Sequence, residues 1–127
     1  MNILGIGTDL IEVDRIKKVI EKYPAFLEKI FTYREINYCN KKGPGRYQCF
    51  ASRFAAKEAV AKSLGQGIGK NVFFKEIEIR NDSEGKPFVF FSDITLNYTI
   101  SIKVNKVELA ISSSQKYCIA FAVSITD

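Results

Sequence analysis

The sequence predicts an α+β fold: one compact domain over residues 1–127, with an N-terminal strand, one long central helix among several, and an antiparallel sheet. Three observations predict it. A short strand pattern opens the chain, apolar residues at helical spacing fill the first half, and alternating patterns fill the second.

Residues 3–8 alternate weakly and carry enough β-branching for a short strand. Asp9 then precedes Leu10, Val13, Ile16, Ile20 and Tyr23 at helical spacing, and Asp9 with Glu12 has the form of an N-terminal cap. Pro24 ends that helix or opens the next. Short helical patterns follow over residues 25–41, with Thr32 and Glu35 at capping-box spacing. Lys41-Lys42-Gly43-Pro44-Gly45 reads as a loop. A long helix is predicted from about Arg46 to Leu64, stopped by Gly65. Residues 73–80 and 88–91 read as strands around a turn at residues 81–87, and residues 104–112 and 117–126 read as a second hairpin. Residues 93–101 fit a short helix or a loop equally.

At 127 residues the chain can bury a real core. No apolar run approaches the roughly 20 residues that cross a bilayer. The N-terminus has no basic region before its apolar residues and meets an acid at Asp9, so it does not read as a signal peptide. Cys39, Cys49 and Cys118 are odd in number and widely spaced, which predicts neither a disulfide framework nor a zinc site and points to a reducing cytoplasm. The chain has no histidine, which excludes any mechanism that needs an imidazole. A net charge of +5 fits an acidic partner: nucleic acid, an acidic protein or a phosphorylated ligand.

Within the long helix, Glu58 and Lys62 share a face with Ala51, Phe54, Ala55 and Gly65 at 100° per residue, leaving room for a close approach. Cys49, Ala56, Val60 and Leu64 lie roughly opposite, as a core-facing stripe. Taken alone, Glu58 and Lys62 are a solvated ion pair worth about 0.3–0.5 kcal/mol, and Asp9 is a helix cap. Taken together, two carboxylates from separate elements beside a lysine suit a hard divalent cation bound to phosphates.

Gly5-Ile6-Gly7-Thr8-Asp9-Leu10-Ile11-Glu12-Val13-Asp14-Arg15-Ile16 closely resembles the opening of bacterial holo-acyl-carrier-protein synthases. So do Phe31-Thr32-Tyr33-Arg34-Glu35, the run from Arg53 to Lys62, Leu64-Gly65-Gln66-Gly67, Glu76-Ile77-Glu78-Ile79 and Asp82-Ser83-Glu84-Gly85-Lys86-Pro87, in order along nearly the whole chain. The resemblance implies transfer of 4'-phosphopantetheine from coenzyme A to a serine of apo acyl carrier protein, in support of fatty acid biosynthesis. It implies that Asp9 and Glu58 hold magnesium, that Glu58 takes the serine proton, and that Lys62 lies along the phosphates. Arg53 and the turn Gly85-Lys86-Pro87 correspond to positions near the nucleotide portion of coenzyme A, and Glu35 corresponds to an acidic position near the site. Gly65 and Gly67 are read as letting the backbone approach coenzyme A, with a helix stop explaining Gly65 as well.

One departure stands out. Family members usually carry a Ser-His pair where this chain has Ser112-Ser113, so Ser113 replaces the histidine, and Lys116 is a candidate to compensate. Arg15, Lys18 and Lys22 form a basic stripe on the first helix. By the resemblance that stripe docks the acidic carrier protein, with Phe26 and Phe54 as apolar contacts. The family further implies a homotrimer with active sites between subunits, for which the apolar strand Cys118–Val123 is a candidate interface. Two rival readings are a coenzyme A-binding homologue without turnover and a basic nucleic-acid-binding module.

Overall fold

The computed structural model describes residues 1–127. In chain order the elements are β1 (Asn2–Glu12), α1 (Val13–Lys22), α2 (Ala25–Ile30), α3 (Tyr33–Asn40), α4 (Arg46–Ser63), β2 (Ile77–Asn81), β3 (Pro87–Phe91), α5 (Asp93–Ser101), β4 (Val104–Ser113) and β5 (Tyr117–Thr126). Strands β1, β5 and β4 form an antiparallel sheet in that order, and β2 and β3 form a separate hairpin.

The first strand corrects the sequence reading. It runs on past Asp9 to Glu12, because β5 offers it a ladder partner throughout: Asp9 faces Ala120, Leu10 faces Ile119 and Glu12 faces Tyr117. Asp9 is therefore no helix cap. Helix α1 begins at Val13, whose N–H donates to the Lys116 carbonyl at 2.8 Å. A paired neighbour outweighs a local capping signal. Two further readings shift as well. Residues 74–76 form a 3₁₀ turn before a shorter β2, and residues 93–101 are helical. The capping box of Thr32 and Glu35 forms as the spacing predicts.

The predicted apolar stripe on α4 understates its burial, since Ala51, Ala55, Ala56, Ala59, Val60 and Ala61 are all enclosed. The small residues expected to leave room for a ligand admit β1 instead. Gly5 and Gly7 press against α4 so closely that a Cβ on Gly7 would collide with the Ala59 carbonyl, and one on Gly5 with that of Ser63. On the other side of the sheet Ile6, Leu10, Ile119 and Phe121 form an apolar face, with Ile6 61% exposed and Leu10 64%.

The most deeply buried charge was not foreseen. Lys57 is fully enclosed; its ammonium donates to the carbonyls of Phe74 and Ile77 and pairs with Glu35, each at 2.7 Å. The second Glu35 oxygen accepts from Ile79 N–H at 2.9 Å. This pair ties α3 and α4 to the β2–β3 hairpin. Glu35 is thus a cap and an internal anchor, away from the carboxylates at Asp9.

The cysteines also depart from expectation. Cys39 of α3 and Cys49 of α4 form a disulfide, with Cα atoms 5.4 Å apart, while Cys118 is free and buried. The nine intervening residues concealed the pair because their loop turns α4 back alongside α3.

Gly7→Ala should destabilise the protein by about 3 kcal/mol, because its backbone neighbour cannot yield as a side chain would. Urea unfolding measures this, and Thr8→Ala on the same strand serves as the comparison.

Candidate active site

Asp9 lies on the α4-facing side of β1, where Gly7 has brought the strand against the helix. Lys62 donates to the Thr8 carbonyl at 2.9 Å and stands 3.6 Å from the Asp9 carboxylate. The lysine therefore pairs across to β1 and not along its own helix; no ion pair forms with Glu58. Burial pushes the Asp9 carboxyl above its ordinary value, against the pull of Lys62. Burial likewise raises Glu58, the nearby Asp9 charge adds to this, and Lys62 opposes it. Two half-buried carboxylates, both raised by burial and served by one lysine, are short of positive charge. Their hard oxygen donors fit magnesium, which takes few protein carboxylates and completes its shell with water and phosphate.

Asp9 and Glu58 open into a groove of about 380 Å³ that Arg15, Phe26 and Phe54 also line. The structure thus brings three of the predicted docking residues beside the carboxylates; the Phe26 and Phe54 rings lie 6.1 Å apart. Lys18 turns outward to Asp14 at 2.9 Å, and Lys22 lies over the Tyr23 ring at the next depression along α1.

A second cavity of about 430 Å³ lies elsewhere on α4, bordered by Arg53, Ser52, Ser113, Asn81, Gly85 and Pro87. Arg53 is only 5% exposed; it donates to Asn81 at 2.6 Å, stacks 4.4 Å from the Tyr38 ring, and leaves its Nε–H without a partner. An enclosed guanidinium with a spare donor suits a polar or anionic ligand group. Asn81 also donates to the Gly85 carbonyl at 2.9 Å, holding the β2–β3 turn against the cavity. Ser113 shares a 2.8 Å hydrogen bond with Ser52. Lys116 does not reach this cavity, being placed beside Glu12 and Asp14, and Lys42 is the lysine that borders it. Lys86 extends to Glu108 at 3.9 Å, so its neighbours and not its own side chain meet the cavity. Gly65 and Gly67 follow α4 and border neither depression.

The sequence reading missed Tyr38, Gln48, Ser52 and Asn81 in this wall. The signal for Ser52 was present: Cys49, Ser52 and Arg53 recur at i, i+3 and i+4 on one helix face.

Residues 5–122 match the sequence model of the 4'-phosphopantetheinyl transferase superfamily. The chain belongs to that superfamily. A holo-[acyl-carrier-protein] synthase of Ruminiclostridium cellulolyticum is 49% identical over 119 residues, covering 93% of this chain and 89% of that one. The crystal structure of the Neisseria meningitidis synthase superposes with a TM-score of 0.92 at 34% identity, over 98% of this chain and 100% of that one. The Bacillus anthracis synthase, solved in complex with CoA (3',5'-ADP), is 40% identical with a TM-score of 0.83, covering 98% of both chains. The transferase fold predicted from the sequence is thus the fold observed.

Because folding raises both carboxyl pKa values, the native state holds protons more firmly than the unfolded chain. Without a divalent cation, stability should fall as pH rises through the ordinary carboxylate range of about 4 and on to the raised values. Glu58→Gln should therefore melt higher than the parent at neutral pH in EDTA. Added magnesium should raise the parent's melting temperature and leave the variant's unchanged, as scanning calorimetry would show.

Proposed function

We infer that this protein transfers 4'-phosphopantetheine from coenzyme A to a serine of apo acyl carrier protein, releasing adenosine 3',5'-bisphosphate. The observation that carries the reading is the convergence of Asp9, Glu58 and Lys62 at the mouth of a groove with an apolar, basic rim, on a transferase fold. Magnesium, held by Asp9 and Glu58, would offset charge on the pyrophosphate. Glu58 forms no ion pair within the protein and opens to the groove, so it is placed to take the serine proton directly or through water. Lys62, fixed to the Thr8 carbonyl, presents its charge to the departing phosphate. None of these roles needs histidine.

Arg15 with Phe26 and Phe54 forms the docking surface for the acidic carrier protein, and Lys18 and Lys22 extend its positive field. Arg53, Ser52, Ser113 and the Gly85–Pro87 turn receive the nucleotide end of coenzyme A. Loss of the family histidine leaves a hydroxyl pair there, a smaller and neutral wall. The carboxylate machinery is unaffected, which favours an active enzyme over a binder without turnover. The acidic carrier protein and coenzyme A also account for the +5 charge without nucleic acid. A cytoplasmic setting and a role in fatty acid biosynthesis suit these substrates.

The two halves of the site face different ways around α4: Ser52 lies about 120° and Arg53 about 140° from Glu58. On a single chain one coenzyme A molecule would have to turn around α4 to reach both. A second copy solves this, with the nucleotide cavity of one subunit completing the carboxylate groove of its neighbour. The exposed apolar face of β1 and β5 is the surface available for such a homotrimer.

Intact-mass spectrometry of apo carrier protein tests the reaction. One phosphopantetheine should be added in the presence of coenzyme A and magnesium. EDTA should abolish the gain, Glu58→Gln should slow it at least about 100-fold, and Arg15→Glu should need more carrier protein for the same rate. Failure of the parent to modify a carrier that a competent synthase modifies would overturn the assignment. Shared sites make a second prediction. Glu58→Gln and Ser113→Trp, each inactive alone, should regain activity when unfolded and refolded together. Mixtures as inactive as the separate variants would place a whole site in each subunit.

A further inference from the structure

The Cys39–Cys49 bond has no part in the transfer reaction, yet it borders the cavity assigned to coenzyme A. Cys49 is half-buried and lines that cavity one turn before Ser52 and Arg53, while Cys39 is fully enclosed. Tyr38 precedes Cys39 directly, and its ring carries both the Arg53 guanidinium at 4.4 Å and the Lys42 ammonium at 4.7 Å. The bond therefore joins the helix that supplies Tyr38 to the helix that supplies Ser52 and Arg53. Between them runs only the short Lys41–Gly45 connection, which carries Lys42. Disulfides in a reducing compartment are characteristically transient and redox-sensing.

We propose that Cys39 and Cys49 form a redox-modification site, acted on by hydroperoxides and by dithiols, whose state sets the affinity of the cavity for coenzyme A. This rests on the assignment of that cavity to the nucleotide end of the substrate. Oxidation begins at Cys49, the sulfur the cavity exposes. Its thiolate attacks the peroxide O–O bond, forming a sulfenic acid and expelling hydroxide or alkoxide. The Cys39 thiolate then displaces hydroxide from that sulfur, closing the S–S bond. Two thiols lose two electrons and two protons, and the hydroperoxide becomes water and an alcohol, or two waters for hydrogen peroxide. In reverse, a dithiol attacks Cys49, releases the Cys39 thiolate, and closes its own disulfide as Cys49 leaves. Lys42 and Arg53 line the same cavity as Cys49.

The oxidised protein holds Tyr38 and Lys42 against Arg53 before the ligand arrives. The reduced protein must order that wall on binding, so coenzyme A binds it less tightly. Affinity coupling is reciprocal: saturating coenzyme A must favour the disulfide by the same factor by which the disulfide favours coenzyme A.

The experiment compares parent protein oxidised with hydrogen peroxide and reduced with dithiothreitol, the reductant removed before assay. Intact mass verifies the two-electron state in each sample. Reduction should raise the dissociation constant for coenzyme A, by calorimetry, about fivefold or more, with KM for carrier protein and kcat unchanged. Coenzyme A should also lower the midpoint potential of the pair by about 20 mV, the equivalent of fivefold for a two-electron couple. Cys39→Ala/Cys49→Ala should match the reduced form under both treatments, and Cys118→Ala should keep the full response. Equal affinities in the two states, a midpoint potential indifferent to coenzyme A, or a response that survives the double substitution would each overturn the proposal. A protein that binds coenzyme A in a redox-dependent way but modifies no carrier would overturn the transferase reading alone. One that modifies its carrier with equal coenzyme A affinity in both states would overturn only the redox site.

Discussion

The close contact between β1 and α4 is the constraint on which the rest of the molecule depends. Gly5 and Gly7 have no side chains, and Ala59 has almost none, so strand and helix meet backbone to backbone. Asp9, two residues beyond Gly7 on the same face, is thereby set beside the helix surface that carries Glu58 and Lys62. A larger residue at position 7 would lift the strand away and separate the two carboxylates. The same contact seals the apolar core, where Ala55, Ala56 and Ala59 pack with Ala120 and Ala122 of the neighbouring strand. Geometry of the site and stability of the fold come from one interaction.

A second anchor works on the other side of α4. Lys57 and Glu58 are sequence neighbours with opposite surroundings: one ammonium sealed among carbonyls and Glu35, one carboxylate open to a groove. Breaking the buried pair by removing one partner would leave a charge with no solvent, a loss of about 3–5 kcal/mol. The pair also fixes the β2–β3 hairpin, which shares no hydrogen-bonded edge with the main sheet. Through it the Gly85–Pro87 turn is held at the wall that Arg53 and Ser113 form. One helix thus governs both depressions, with its charged side chains sorted by the face on which they emerge.

Much of this was legible in the sequence because the signals were local. The span of α4, the capping box at Thr32 and Glu35, and the hairpin of β4 and β5 follow from spacing and turn chemistry. The family motifs pointed to Asp9, Glu58 and Lys62, which the fold brings near one another. What escaped depended on partners distant in sequence. Asp9 looked like a cap because nothing local reveals that β5 will pair with it. Lys62 looked like the partner of Glu58 because its bond to the Thr8 carbonyl spans 54 residues. The alanines looked like space for a ligand, and they are space for a strand. Lys57 gave no signal at all, since a lysine in a helix ordinarily reaches water. The Cys39–Cys49 pair was missed because spacing alone does not show where a loop reverses.

The raised carboxyls at Asp9 and Glu58 mean more in a chain without histidine than they would elsewhere. Imidazole is the side chain that ordinarily changes charge between about pH 5 and 8. With none present, the basic surface around Arg15 keeps its sign and strength across that range, so attraction to an acidic protein hardly varies with acidity. Acidification is felt first at Asp9 and Glu58, whose carboxyls burial makes hold their protons more firmly than ordinary ones. Under the proposed function, acid would therefore blunt the carboxylate centre while the basic surface still attracts an acidic partner, so that encounter and chemistry respond to acid separately.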